Sequence, residues 1–203
     1  MERDELREAW DDVSEAYANS RDPTGSDADL IQDLIGSLPP EPEVLDVGCG
    51  DGARTLKNLT EGSVGLDISR SGLELATEVV GPGKLVQGDM ASLPFAADSF
   101  DAVTAYHSVF HVPRDEHPEV YEEFRRVLRP GGRLLMTLPG GRYETVRHGW
   151  MGGRMFFSTP GRNRTLSQLC RSGFVDLSTE NASDPLGTEA EFVFGTAGTS
   201  ETG

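Results

Sequence analysis

A glycine-rich turn between two apolar segments carries the residue types and spacing that most clearly suit ligand chemistry. Residues 44–47 are apolar and β-favouring apart from Asp46, and Gly48, Gly50 and Gly52 follow at alternate positions. Glycines leave room for a ligand to lie against the main chain. Asp67 ends the next apolar segment, about one βαβ unit later. The pattern therefore predicts a strand, a turn and a helix start that bind a nucleoside.

The same residues fit two classes of nucleoside cofactor. Gly48, Gly50, Ala53 and Asp67 satisfy the dinucleotide fingerprint, so an NAD(P)-dependent oxidoreductase is one interpretation. Asp46 and Asp51, however, place a carboxylate on each side of the turn, where a pyrophosphate would be repelled. S-adenosylmethionine carries an ammonium and a sulfonium but no phosphate. Charge therefore favours S-adenosylmethionine as the cofactor.

Length and composition favour one intracellular domain. With 203 residues the chain is long enough for a single α/β domain with a substantial core. It has no run of 18 apolar residues, and its N-terminus is charged, so we expect a soluble cytoplasmic protein without a membrane partner. The two cysteines, Cys49 and Cys170, form neither a disulfide framework nor a metal-ligand cluster. We expect two reduced thiols and no metal.

The net charge of -16 is unevenly distributed along the chain. Residues 1–124 carry -19, residues 125–171 carry +9 and residues 172–203 carry -6. The overall charge argues against DNA as a partner and makes RNA a poor one, although the basic segment could accept an anion locally. Pairing of its arginines with acids of the same chain is the favoured alternative. Only two of the 18 bases are lysines, and this acidic, lysine-poor composition suggests a host with a high-salt cytoplasm.

Strand and helix patterns alternate through the first two thirds of the chain. An amphipathic helix over 4–17 and a second over 26–35 form N-terminal caps, within residues 1–38. A cofactor-binding core over 43–139 follows, in which strands and helices alternate and a tight turn at Pro130 to Gly132 precedes the fifth strand. The predicted strands are 43–47, 63–67, 84–87, 100–105 and 133–138, and the predicted helices are 52–59, 71–80 and 116–128. This alternation predicts a parallel sheet with helices on both faces.

The regular pattern ends after Pro139. Residues 140–164 contain six glycines, several arginines and large apolar side chains, and we interpret them as a substrate-side insert. A capping box at Thr165 to Gln168 predicts a helix that ends near Gly173. Strand patterns over 174–179 and 191–196 predict a closing hairpin within 165–196, and residues 197–203 read as a disordered tail.

Taken in order, these motifs resemble the class I S-adenosylmethionine-dependent methyltransferases, specifically the type 11-like small-molecule branch. The resemblance extends over nearly the whole chain and rests on five motifs in register. They are 44–52, 65–67, 88–90, 100–103 and 126–135. It implies a Rossmann-like, doubly wound, seven-stranded sheet that is mostly parallel, with the last strand antiparallel. The cofactor is expected over the carboxyl ends of the first, second and fourth strands.

The resemblance also implies roles for individual residues. Asp67 is expected to accept both ribose hydroxyls, and Asp89 the adenine amine beside the backbone of Met90. The backbone of Gly48 and Gly50 is expected to face the methionine moiety, with Asp46 near its ammonium. The implied cofactor-binding set is Tyr17, Arg21, Asp46, Gly48, Cys49, Gly50, Asp67, Ile68, Asp89, Met90 and Tyr106. Within it, Tyr17 and Arg21 lie where relatives cover the cofactor and reach its carboxylate.

Methyl transfer from a sulfonium is an in-line displacement that mainly requires alignment of the acceptor and exclusion of water. A general base is needed only if the acceptor must lose a proton. His107 follows the fourth strand and is our candidate for that base, whereas His111 and His117 are interpreted as structural residues of a helix-entry loop. The expected acceptor is a small molecule. A non-catalytic accessory subunit that binds the cofactor is the alternative from outside the enzymes, and the oligomeric state stays open.

Overall fold

The computed structural model describes residues 1–20, 26–81, 84–183 and 189–199. They form a seven-stranded sheet in the order β3, β2, β1, β4, β5, β9, β8, together with a separate two-stranded sheet of β6 and β7. The helices are α1 (Arg3–Ser20), α2 (Asp27–Gly36), α3 (Arg70–Val80), α4 (His117–Val127) and α5 (Arg162–Arg171). The strands are β1 (Val44–Val47), β2 (Val64–Asp67), β3 (Leu85–Gln87), β4 (Phe100–Ala105), β5 (Leu128–Thr137), β6 (Arg142–Trp150), β7 (Gly153–Pro160), β8 (Phe174–Ser183) and β9 (Glu189–Ala197).

The sheet has the predicted topology. β1 pairs in parallel with β2 and with β4, and β5 extends the parallel set beyond β4. β9, the last strand in the chain, runs antiparallel to both β5 and β8. The expectation of a doubly wound, mostly parallel sheet with an antiparallel last strand is confirmed.

Alternate residues of the central strands face opposite layers of helices, because successive side chains of a strand point to opposite faces. On one face Leu45, Val47 and Val103 join a core that includes α4 and α5. On the other face Val44 and Ala102 pack with residues of α2. Burial on both faces explains why β1 is apolar except at Asp46.

The predicted helix over 52–59 is wrong. The chain forms turns there and a short 3-10 helix over Leu56–Asn58. Gly52 has a positive φ of 70°, and the side chains of Arg54 and Thr55 are buried in contacts with other parts of the chain. Arg54 pairs with Asp27 of α2, and the Thr55 hydroxyl donates to Asp46. Glycine conformation and long-range polar contacts therefore outweigh helical propensity in this segment.

The expectation of irregular structure over 140–164 is also wrong. β6 and β7 form an antiparallel hairpin with one register shift between His148 and Trp150, and it turns at Met151 and Gly152, both with positive φ. β7 packs against α1 through a covering cluster. Its buried members are Leu6, Ala9, Val13, Met155, Phe156 and Phe157. Gly153 marks a close approach of the two elements, since a Cβ there would lie 2.6 Å from Cγ1 of Val13.

Two helix starts differ from the predicted capping boxes. α3 begins at Arg70, and the Oγ atom of Ser69 accepts the N–H of Gly72, so Ser69 is the cap instead of Ser71. α5 begins at Arg162 after Gly161, ahead of Thr165. Strand ends shift by only a few residues, and Gly131, with a φ of 82°, has the conformation that the predicted turn after Pro130 requires. The tail was predicted to begin at Ala197, but Ala197 is the last residue of β9. Residues 200–203 of that tail lie outside the described residues.

Among the residues that the structure describes, no helix is both long and apolar enough to cross a bilayer.

Candidate cofactor and acceptor site

A cavity lies at the carboxyl ends of β1, β2 and β4, and its empty space, counted together with the part open to solvent, is about 920 Å³. In an open parallel sheet this edge is where ligands bind. α1 covers the cavity, and the turns after β1, β2, β3 and β4 form its floor and walls. The residues that line it are Arg3, Leu6, Trp10, Ser14, Tyr17, Gly48, Cys49, Gly50, Asp51, Arg54, Thr55, Leu66, Asp67, Ile68, Ser69, Gly88, Asp89, Met90, Tyr106, His107, Ser108, His111 and Val112.

The glycine turn lies directly under the cavity, and two of its positions require glycine. Gly48 lacks both the space and the backbone conformation for a side chain, and Gly50 lacks the conformation. Gly48 has a φ of 75°, and a Cβ there would lie 2.3 Å from Cβ of Ser108. Gly50 has a φ of 54° and open space beside it. The N–H groups of Gly48 and Cys49 both donate to the Leu66 carbonyl, at 2.7 and 3.1 Å, which ties the turn to β2. Residues 48–50 all line the cavity, so their main chain can lie against a ligand.

Asp67 is held in a fixed position at the end of β2. Its Oδ2 atom accepts the N–H of Gly50 at 2.8 Å, and Oδ1 accepts the N–H of Ser69 at 2.8 Å. Burial raises the pKa of the carboxyl above its ordinary value, while the two backbone N–H groups oppose that rise. Each oxygen retains acceptor capacity for a ligand hydroxyl. Asp67 and the neighbouring Ile68 both line the cavity.

Asp89 lies at the cavity wall after β3. Its Oδ1 atom accepts the N–H of Ala91 at 2.9 Å, and Oδ2 lies 2.7 Å from Nε of Arg3. Arg3 also reaches Glu116, at 2.6 Å, at the start of α4. The first turn of α1 is therefore fastened directly to the residue expected to bind adenine, and sequence reasoning did not identify Arg3.

Asp46 differs from the expectation that it faces the cofactor. It is only 1% exposed and does not line the cavity. Its carboxylate accepts hydrogen bonds from the hydroxyls of Thr55 and Thr104, the latter at 2.7 Å. Burial raises the pKa of this carboxyl from 3.8 to about 6. Because Asp46 lies on a fully buried strand, its side chain points into the sheet layer beneath the turn and not into the cavity.

α1 is bound across the top of the cavity by a second polar contact. Oδ1 of Asp11 accepts the hydroxyl of Ser69 at 2.8 Å and the N–H of Ser71 at 3.0 Å. Asp11 thus caps the start of α3 from another helix, in addition to Ser69. Tyr17, on the same helix, lines the cavity as expected. Arg21, the other expected contact from this region, lies outside the described residues.

Two histidines line the cavity beyond the end of β4. His107 has a positive φ of 51°, and its backbone N–H donates to the hydroxyl of Thr137 at 2.8 Å. His111, which we interpreted as structural, is 5% exposed and lies within an aromatic group formed with Trp10, Phe110 and Phe157. The location of His111 shortly after β4 was the only feature of the sequence that pointed to its place in the cavity. His117 is buried in α4 with Nε2 bonded to the Val112 carbonyl, in agreement with a structural role.

Four of the ten arginines in the basic segment form ion pairs with carboxylates among the described residues. Arg126 pairs with Glu123, Arg129 with Glu43 and Asp101, Arg154 with Glu5, and Arg162 with Glu191. Glu123 and Glu191 have their pKa lowered by these arginines. The contacts support the intramolecular interpretation of the +9 segment.

The fold and the cavity together define a class: a Rossmann-like domain that holds a nucleoside at the carboxyl edge of its sheet. Comparison with known families narrows the class further. Residues 45–136 match the family described as "Methyltransferase domain". This match agrees with the resemblance to the class I S-adenosylmethionine-dependent methyltransferases that the five motifs indicated.

Two curated relatives illustrate the match. The chain is 45% identical over 104 residues to the methyltransferase GfsG of Streptomyces halstedii, covering 47% of this chain and 37% of that protein. It is 43% identical over 104 residues to sterol 24-C-methyltransferase ERG6B of Gibberella zeae, covering 47% of this chain and 27% of that protein. The chain thus spans well under half the length of these relatives.

Solved structures share the fold over most of the chain. A S-adenosylmethionine-dependent methyltransferase from Methanosarcina mazei has a TM-score of 0.68 at 20% identity, with 83% of this chain and 97% of that chain covered. Phosphoethanolamine N-methyltransferase 2 of Haemonchus contortus, solved with phosphomonomethylethanolamine and S-adenosylhomocysteine, has a TM-score of 0.72 at 17% identity. That match covers 97% of this chain and 60% of that one.

Proposed function

We propose that this protein transfers a methyl group from S-adenosylmethionine to a small-molecule acceptor by in-line displacement. The observation that carries the proposal is the cavity itself, in which the glycine turn, Asp67 and Asp89 meet at the sheet edge in the order that the family requires. The enclosed position beneath α1 suits a reaction that depends on alignment and exclusion of water.

In this proposal the cofactor lies along the floor of the cavity. Asp67 accepts the ribose hydroxyls, and Asp89, oriented by Arg3, accepts the adenine amine beside Met90. The backbone of Gly48, Cys49 and Gly50 faces the methionine moiety. Ile68, Tyr106 and Tyr17 complete the lining, and Arg21 remains a sequence-based candidate for the carboxylate. Asp46 acts from below, where it fixes the turn through Thr55 and Thr104.

Titration calorimetry with S-adenosylhomocysteine tests the cofactor assignment. Substitution Asp67→Asn removes the charge that strengthens two hydrogen bonds to the ribose, each worth about 1.5 to 3 kcal/mol. We expect the affinity to fall about 100-fold, allowing for the one oxygen that asparagine keeps. Asp33→Asn, on an exposed site of α2, is the matched control and should bind as the wild type does. Equal affinities for both variants would refute the role of Asp67.

Titration with NADH separates the proposal from the oxidoreductase alternative. The relatives described above are methyltransferases, which gives that alternative no support. Binding of NADH without binding of S-adenosylhomocysteine would reverse the assignment.

The acceptor can be sought by incubating the protein with a metabolite extract and isotopically labelled S-adenosylmethionine. We expect the label in a small molecule, since the relatives named above include a sterol methyltransferase. Tight cofactor binding without any transfer would instead support the accessory-subunit alternative. A cytoplasmic location and a saline host stay predictions from composition.

A further inference from the structure

His111 is fixed in one orientation in the wall of the cavity, beyond the carboxyl end of β4. It ends the short 3-10 helix Val109–His111 that follows β4. The centroid of its ring lies 4.7 Å from that of Phe110, and 4.8 Å from the ring centroids of Trp10 and Phe157. Because these rings come from α1, β7 and the 3-10 helix itself, the imidazole is held from three directions. Such confinement preorganises a side chain for contact with a ligand.

The hydrogen bond of Nδ1 identifies the tautomer. Nδ1 lies 2.7 Å from the carbonyl oxygen of Phe156. A carbonyl only accepts, so Nδ1 carries the hydrogen and Nε2 of the neutral ring carries a lone pair. In the part of the chain that the structure describes, no hydrogen bond to Nε2 is found, although His111 lines the cavity.

The surroundings keep this ring neutral. Burial lowers the pKa of His111 from 6.5 to about 4, and the nearby positive charge of Arg147 and the ring of His107 act in the same direction. The other groups packed against it, Trp10, Phe110 and Phe157, do not titrate. At neutral pH the group at this wall is therefore an uncharged hydrogen-bond acceptor beside a positive charge, which disfavours a cationic methyl acceptor.

We propose that His111 is a catalytic residue whose Nε2 atom takes the hydroxyl proton of the methyl acceptor, and that the acceptors are hydroxyl compounds. This inference rests on the proposed methyltransferase function. It replaces His107, our sequence-based candidate, as the acceptor-side base.

The acceptor oxygen attacks the methyl carbon, the bond between carbon and sulfur breaks, and its electron pair returns to sulfur to give neutral S-adenosylhomocysteine. The hydroxyl proton passes to Nε2, and the imidazolium then releases it to water. A weak base is sufficient, because a methylated oxygen that still carries its proton is a far stronger acid than an imidazolium.

Nitrogen-15 NMR of the protein saturated with S-adenosylhomocysteine tests the contact, with phenol as the hydroxyl probe and anisole as the matched probe without a donor. We expect Nδ1 to carry the proton, and the Nε2 resonance of His111 to move upfield with phenol but not with anisole. A proton on Nε2, or no difference between the two probes, would overturn the proposal. Binding of S-adenosylhomocysteine is measured in the same sample, so its absence would count against the proposed function instead.

Substitution His111→Asn tests catalysis, because the asparagine amide can keep the bond to the Phe156 carbonyl while Nε2 is lost. We expect label transfer to a metabolite extract to fall by about 100-fold or more, with S-adenosylhomocysteine affinity and melting temperature close to wild type. His148→Asn, exposed on β6, is the control and should transfer normally. Undiminished transfer by His111→Asn, or recovery of the label on nitrogen or on a carbon without a neighbouring hydroxyl, would refute the assignment.

Discussion

At the scale of single residues, the glycine turn shows how far sequence reasoning reaches. Gly48, Gly50 and Asp67 were identified from spacing, and the structure places all three around one cavity. Asp46 was assigned to the cofactor by charge, but it lies beneath the turn. Spacing identifies which residues follow a strand, whereas the direction of a side chain within the strand depends on which faces are buried.

Gly48→Ala is expected to destabilise the protein and abolish cofactor binding. The new Cβ would meet Ser108 at 2.3 Å, and the φ of 75° is unfavourable for alanine. Thermal denaturation and calorimetry with S-adenosylhomocysteine measure the two effects. Gly36→Ala, at the end of α2 with no heavy atom within 4 Å of the new Cβ, is the control and should retain binding. Retention of full affinity by Gly48→Ala would contradict the close approach.

Asp46 is expected to make stability depend on pH. Its carboxyl binds a proton more tightly when folded, so its favourable contribution is complete below pH 3.8 and is lost as the pH rises through about 6. A shift of about two pKa units corresponds to about 3 kcal/mol. The free energy of unfolding of Asp46→Asn, relative to wild type, should therefore rise between these pH values and stay level above them. Urea denaturation across the pH range measures this, and parallel pH profiles for the two proteins would argue against it.

At the scale of elements, the strands of the core were predictable because apolar runs bounded by turn residues have few other solutions. The segments predicted wrongly are those whose conformation depends on distant partners. Residues 52–59 bond to Asp27 and Asp46, and the hairpin of β6 and β7 is stabilised by packing under α1. Local sequence does not contain those partners, so neither segment could be assigned from it.

α1 is expected to loosen when its contact with α3 is removed. Asp11→Ala eliminates the acceptor for Ser69 and Ser71, a loss comparable to that of a helix cap at about 1 kcal/mol. We expect the melting temperature to fall by about 2 to 4 °C, with faster amide exchange in α1 and faster dissociation of S-adenosylhomocysteine. Asp12→Ala, exposed on the outer face of the same helix, should change none of these. Unchanged exchange in Asp11→Ala would show that apolar packing alone holds α1.

At the scale of the whole molecule, much of the negative charge lies on the outer face of α1. This face exposes Asp4, Glu5, Glu8, Asp12 and Glu15, and among the described residues only Glu5 pairs with an arginine of the basic segment, Arg154 at 3.5 Å. The overall topology and this imbalance were both evident from sequence. Most partners of the arginines were not, since the pairs of Arg129, Arg154 and Arg162 join distant parts of the chain, whereas Arg126 and Glu123 are three residues apart on α4.

Salt is expected to stabilise the protein, because screening reduces repulsion among these carboxylates. We expect the melting temperature to rise steadily from about 0.1 M to about 2 M potassium chloride. Calorimetric scans across this range provide the measurement. A constant melting temperature would remove the argument for a saline host.

The contact of Gly153 with Val13 has a consequence for the history of the family. α1 and β7 meet so closely there that any side chain at 153 must be compensated at 13. In related sequences that keep this hairpin, the two positions should therefore change together: a larger residue at 153 should accompany a smaller one at 13. α1 and the hairpin of β6 and β7, which together cover the cavity, would then evolve together. A change in acceptor preference would require matching changes in both elements.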